Sequence, residues 1–395
     1  MKLIQFGIII LTLLITSCQS NKNEYVNENN IEETKNPKLD IRYSENLETL
    51  ALVYNLSESG DFHFEHNPEP RAMLARELTA RFEKFKEHEA VEKLNFLLNN
   101  DFVDSYDIVL SLYNTDIPNF KQYSDYPPIY YEHDSLSPEQ IQDLFDDFNE
   151  SVKQFYIDAN LKEFFKIEMK ELYSKLMNEV NTVAPDNKYI VLMEDYYGIQ
   201  RNSYTVIVSA FSFNGIGRSK TIRNQEGINI FQFVSSNPKD ESDTIDLIDL
   251  NSFTIGYTDK DYFREIAIHE LVHSFFHEAL RENKNIIAKI DELEYLFTDS
   301  LRENMMNQGY VDWRICFEEH LVRLVEIKIA ELMGDNDFSV RYMNECIVDR
   351  GFIYMKLIQE ILLEYENNRD KYKTIEDFIP FIIHELKEKK VPKNM

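Results

Sequence analysis

Residues 261–280 read DYFREIAIHELVHSFFHEAL, and within them His269-Glu270-Leu271-Val272-His273 sets two histidines four apart around a glutamate. Four residues is about one helical turn, so both imidazoles fall on one face of an α-helix and can reach a single metal ion. Glu270 is turned about 100° from His269, beside such an ion rather than on it. A carboxylate there can take a proton from water that zinc has acidified toward a pKa of ~7. Ile266, Ile268, Leu271, Val272, Phe275, Phe276 and Leu280 leave little of this helix polar. A histidine pair buried beside a carboxylate is costly without a cation or hydrogen-bond partners. The stretch predicts a buried helix with His269 and His273 as metal ligands, Zn2+ as the cofactor and Glu270 as the catalytic general base.

Catalytic zinc takes three protein ligands and keeps one position for water, so a third ligand is needed. A metzincin would place glycine at 276 and histidine at 279, where this chain has Phe276 and Ala279. His277 lies one turn beyond His273, but a straight helix cannot wrap three consecutive turns around one ion. A second predicted helix, Trp313 to Met333, carries Glu318 and Glu319 in an otherwise apolar segment. Periodicity favours Glu318, which shares a stripe with Val322, Val325, Ile329 and Leu332, whereas Glu319 sits nearer Arg323 and Glu326.

This arrangement resembles the gluzincins, in which the third ligand is a glutamate on a separate downstream helix. Three stretches carry a closer resemblance: EKFKEHEAVEKLNFLL from Glu83, HELVHSF from His269 and GYVDWRICFEEHLVRL from Gly309. They are similar to a family of bacterial lipoproteins with a zincin-like domain, the domain-of-unknown-function 4932 family. Its downstream signature, a glutamate followed by Leu-Val-Arg, corresponds to Glu319-His320-Leu321-Val322-Arg323. The resemblance implies Glu319 as the third metal ligand, with Arg323 one turn later orienting its carboxylate. It also implies a zinc metallopeptidase acting on a peptide or protein substrate. Tyr310, with His320 behind it, is the candidate oxyanion partner, and Gly227–Ser235 or Ser252–Tyr257 the candidate edge strand for aligning a peptide.

Upstream, Leu39 to Val183 reads as almost continuous helix, with segments at Asn46–Leu56, Pro70–Leu98, Asp104–Tyr113, Ile141–Ala159 and Leu161–Val183. Ser137-Pro138-Glu139-Gln140 is a capping box with proline at the first helical position. His63, His66, His88 and His133 read as solvated or core histidines, the first two beside a turn set by Asn67, Pro68 and Pro70. The tyrosine-rich loop from Thr115 to Asp134 could line a cleft or pack itself down. Period-two patterning then predicts strands at Lys188–Glu194, Ser203–Phe213 and Gly227–Ser235, with Asn214, Gly215 and Gly217 as a turn. Ser252–Tyr257 reads as a short strand or extended run, and Thr258 or Asp259 as the cap of the metal helix. The fold class is α+β: a mostly helical region over 41–185, then a zincin-like domain over 186–395 with a small mixed β-sheet and an HExxH active-site helix.

The N-terminus carries Lys2 and then a short apolar run, which predicts a signal peptide over 1–17. Ile15-Thr16-Ser17-Cys18 resembles a bacterial lipobox, which implies lipidation at Cys18. Residues 18–40 follow as a polar tether. Gln19 is not the aspartate that retains such lipoproteins in the inner membrane, so the expected place is the outer membrane of the cell envelope, with lipid as the sole membrane contact. The formal net charge of -28 repels phosphate backbones and excludes nucleic acid as an expected partner. Cys316 and Cys346 would be free to form a disulfide in an exported chain. A rival function is a non-catalytic surface lipoprotein that binds a glycan or protein partner, in which any zinc would be closed off by a fourth protein ligand.

Overall fold

A computed structural model describes residues 39–389 apart from 67–69, 105–106, 134, 213–217, 226, 238–244 and 246, without the side chains of 70–71, 107–109, 129, 218 and 277–278. The expected signal peptide, Cys18 and most of the tether therefore lie outside the described residues, as does the turn at Asn214 to Gly217. The described residues fall in one compact unit. It is α+β, with many helices around a small mixed sheet.

The chain enters through β1 (Leu39–Arg42) and continues into α1 (Glu45–Asn55), α2 (Glu58–His66), α3 (Pro70–Ala80) and α4 (Glu89–Asn99). After the tyrosine-rich loop come α5 (Pro138–Asp158), the short α6 (Leu161–Glu163) with a π turn, and α7 (Lys170–Val183). The capping box forms as read: Ser137 Oγ accepts from the Gln140 N–H at 3.3 Å and Gln140 Oε1 from the Ser137 N–H at 2.9 Å. Two readings of this half are corrected. Leu39 and Asp40 belong to a strand rather than a tether or helix, their ladder to the sheet being what ends the extended run. His63 and His66 lie in α2, not in a turn, but each ring is used locally, His63 on Tyr54 and His66 on the Phe62 carbonyl.

Lys188–Glu194, expected as a strand, is part of α8 (Lys188–Tyr197). Its β-branched residues suggested a strand, yet Tyr189, Ile190, Met193 and Tyr197 fall on one buried helical face. Gly198 ends the helix at φ 67, where an added Cβ would meet the Lys373 carbonyl oxygen at 2.0 Å. The sheet follows as β2 (Ser203–Val208), β3 (Arg218–Asn224) and β4 (Gly227–Val234), in the order β1-β2-β4-β3. β1 and β4 run parallel to β2, and β3 runs antiparallel to β4. β3, RSKTIRN, escapes sequence reading because its charges hide the alternation, a device that also keeps an edge strand from pairing with other chains.

The helix that carries His269, Glu270 and His273 is α9 (Lys260–His277), prolonged by a π turn over Glu278–Glu282. Asp259 caps it, accepting from the N–H groups of Asp261 and Tyr262. Ser252–Tyr257 is not a strand. The N–H groups of Ile255, Gly256 and Tyr257 all donate to the Glu179 carboxylate of α7 instead of to a neighbouring strand. Then come α10 (Lys284–Asp291), α11 (Asp299–Met306), α12 (Trp313–Leu332), α13 (Asn336–Val348), α14 (Met355–Asn367) and α15 (Ile375–Glu388). Two buried clusters meet at α9, where Phe263 and Ala267 join the first while Ile268, Leu271, Val272, Phe275 and Phe276 join the second. A helix shared by two cores has to be apolar on more than one face, which explains its composition.

Candidate metal centre

α12 packs across α9 and is itself buried along most of its length. A helix enclosed this way would carry only apolar side chains unless its polar ones had partners. Glu318, Glu319 and Glu326 are all buried, and they recur at positions that turn toward α9. Their partners are the two histidines of that helix.

Two imidazole nitrogens and one carboxylate converge. His269 Nε2 and His273 Nε2 lie 3.1 Å apart. Glu319 Oε2 is 3.4 Å from His269 Nε2, and Glu319 Oε1 is 3.2 Å from His273 Nε2. The edges of a tetrahedron with ligands at ~2.0–2.1 Å from a central zinc are about 3.3 Å. Among the described residues, His269, His273 and Glu319 are the group of His, Cys, Asp and Glu side chains with metal-holding geometry, and no fourth such ligand joins them. The donor set and its spacing therefore fit a three-ligand metal site.

The outer histidine nitrogens are also held. His273 Nδ1 is 2.7 Å from Glu318 Oε1, and His269 Nδ1 is 3.4 Å from Glu326 Oε2. Ligating histidines are commonly fixed by a carboxylate on the second nitrogen, which sets the tautomer and aims the first nitrogen inward. Glu318 and Glu319 thus divide the work: Glu319 faces the convergent atoms, and Glu318 stands behind His273. Periodicity favoured Glu318, but α12 is buried on nearly all sides, so its apolar stripe does not mark the face that meets the convergent atoms.

Arg323 donates to Glu319 Oε2 at 3.3 Å, to the Tyr310 hydroxyl at 2.7 Å and to the Tyr342 hydroxyl at 2.6 Å. The Tyr342 hydroxyl reaches Glu326 Oε2 at 3.1 Å and so closes the network around both histidines. Tyr310 is half-buried; burial, opposed by Arg323 and aided by Glu319, raises its pKa to about 12. His320 is placed elsewhere. Its Nδ1 donates to the Cys316 carbonyl at 2.7 Å, its Nε2 accepts from the Tyr354 N–H at 3.4 Å, and it is completely buried, so it cannot touch a substrate. Burial pushes its pKa down to about 4, which keeps it neutral.

Burial works to lower the His269 pKa, but the Glu326 and Glu319 carboxylates outweigh it and raise it to about 10. His273 is raised in the same way, against burial, by Glu318 and Glu319. Glu319, which burial alone would raise, is held well below the usual carboxylate range by the two histidines. With 14 % of each histidine side chain exposed, the centre is sunk but reachable. Glu270 lies half-buried on the same helix between the two histidines.

Three further readings concern position. The edge strand beside α9 is β3, since β4 is paired on both sides and Ser252–Tyr257 is no strand. Cys316 and Cys346 are buried free thiols and not a disulfide. The tyrosine-rich loop does both things asked of it: Tyr126 and Tyr130 are buried, while Tyr123, Ser124 and Asp125 face β3 across a cleft of about 950 Å³. Sequence reasoning did not select Glu326, Arg281 or Glu179. Glu326 could have been found as the charged residue two turns after Glu319 on an apolar helix.

No curated protein and no solved structure matches the chain. A family model described as a domain of unknown function, DUF4932, matches residues 53–385, which takes in β2, β3, β4, α9 and α12. By that match the chain belongs to the DUF4932 family.

Proposed function

We propose that His269, His273 and Glu319 hold a zinc ion and that the protein is a zinc-dependent peptidase of zincin-like architecture. The convergence of two Nε2 atoms and one carboxylate at tetrahedral edge lengths, with both outer nitrogens on carboxylates, carries this reading. Three ligands rather than four leave a position for substrate or water. Zinc, when bound, supplies an acidified water and a polarised carbonyl. Glu270 takes the proton from the attacking water and passes it to the leaving amine. Tyr310, fixed by Arg323, steadies the developing oxyanion. The antiparallel edge strand β3, beside α9, aligns an extended peptide.

The proposal extends to the cell. Lipid at Cys18 would tether the enzyme to the outer membrane, with a peptide or protein as its partner and no nucleic acid. Among the described residues no helix is long and apolar enough to cross a membrane. One observation favours the rival reading: the 950 Å³ cleft beside β3 is lined by none of the three metal-site residues, as suits a surface that only binds a glycan or protein.

Glu270→Gln separates the two. The amide keeps the size and the helix but cannot take a proton, so peptide cleavage should fall by about 10² to 10⁴ while zinc content stays near one per chain. Cleavage that survives the change would remove Glu270 from the mechanism. If the zinc-loaded wild type cleaves nothing in a diverse peptide library, the binding reading takes its place.

A further inference from the structure

The π turn that follows α9 carries Arg281, whose guanidinium takes a two-point grip on Glu318, Nε to Oε2 and Nη2 to Oε1, each at 3.1 Å. Glu318 Oε1 also receives His273 Nδ1 at 2.7 Å. Three N–H donors thus occupy the two oxygens of one carboxylate, and the carboxylate cannot turn without giving one of them up. That fixes the plane of the His273 ring, and with it the direction in which Nε2 points toward His269 and Glu319.

The two histidines are held differently. His269 leans on Glu326, which Tyr342 and Arg323 enclose in the interior. His273 leans on Glu318, 5 % exposed, whose other partner is an arginine that is 52 % exposed. A surface arginine ordinarily adds little through an ion pair. A bidentate contact to a buried carboxylate is another matter, because it constrains geometry as well as charge. The segment that presents it is a π turn, a rare form that concentrates at functional positions.

We infer that Arg281 is a positioning residue for the metal ligand His273, acting through Glu318. The inference rests on the zinc reading above. Arg281 touches none of the three convergent side chains, and its effect is on how well one of them is aimed. Removing a group that orients a ligand typically costs ten- to a hundredfold in metal affinity, far less than removing the ligand.

The test is a zinc titration of metal-free protein against a chromophoric chelator, with the visible spectrum of the Co2+ form as a second readout. Arg281→Ala should weaken zinc about 10- to 100-fold and alter the cobalt bands, and Arg281→Lys, which restores one contact of the two, should recover part of both. Arg314→Ala removes a comparably exposed arginine paired with Asp291 away from the centre, and should leave affinity unchanged. Arg281→Ala combined with Glu318→Gln should bind zinc no worse than Glu318→Gln alone, since one path carries the effect. Affinity in Arg281→Ala within about twofold of wild type, or full additivity in the double variant, would overturn the inference. Wild-type protein that binds no zinc would overturn the zinc reading with it, and this outcome is distinct because it appears before any variant is made.

Discussion

Glu319 and Glu318 are neighbours on one helix, both buried, yet they stand on opposite sides of the His273 imidazole. Glu319→Ala removes one of three donors and should weaken zinc binding by about 10³-fold or more. Glu318→Ala should cost only about 10- to 100-fold, because His273 keeps its place on α9 and loses only its acceptor. Competition titration reads both, and a reversed order would make Glu318 the ligand. The same residues set a pH dependence. The folded His269 pKa of about 10 stands above its ordinary 6.5, so the metal-free fold gains stability from the protonated ring in full below that ordinary value. That gain is lost as pH rises through the folded value. Zinc needs the unprotonated ring and must displace the proton. The rise in melting temperature on adding zinc should therefore grow between about pH 6 and pH 8.5. A shift that shrinks over that range would mean the histidines are not the ligands.

At the scale of elements, the approach to α9 depends on one side chain. Glu179 accepts from three consecutive N–H groups, those of Ile255, Gly256 and Tyr257, and Lys175 pairs with it at 3.2 Å. Glu179→Ala leaves these donors without their acceptor in a part-buried place. At about 1–3 kcal/mol per unmet buried group, partly relieved by water, the loss should be about 2–4 kcal/mol in denaturant unfolding. A loss under about 0.5 kcal/mol would show that the segment finds other acceptors. This contact also shows why parts of the fold were illegible. Ser252–Tyr257 looks extended but is bent, with Gly256 at φ 109, and a carboxylate some 76 residues away, not a strand, satisfies its N–H groups. Lys188–Glu194 has the composition of a strand and the buried face of a helix. His269, Glu270 and His273 were legible because helical spacing alone brings them together. Arg281 and Glu326 were not, because their contacts join helices that are 37 and 57 residues apart in sequence.

At the scale of the whole molecule, the helical half and the half with α9 share their supports. Glu48 of α1 is fully buried and accepts from Ser209 Oγ, the Ala210 N–H and the Phe211 N–H, just where β2 ends. Burial, opposed by those bonds, raises its pKa to about 7. Glu179 holds the segment before α9, and the first buried cluster takes in Val206, Val208 and Phe263 together with Leu47, Phe155 and Leu176. The polar cross-links and the core thus both span position 185. A fragment of 186–395 keeps every residue of the candidate metal centre, yet it exposes one face of α9 and orphans the N–H groups that Glu48 and Glu179 receive. The cost of leaving such groups unmet, added to lost apolar burial, exceeds the roughly 5–15 kcal/mol by which a domain is stable. Expressed alone, the fragment should lack near-ultraviolet circular dichroism and bind zinc no better than an unfolded chain, whereas residues 37–395 should unfold in a single transition. A fragment that folds and holds zinc with wild-type affinity would show that the helical half is an accessory and that the centre needs only its own core.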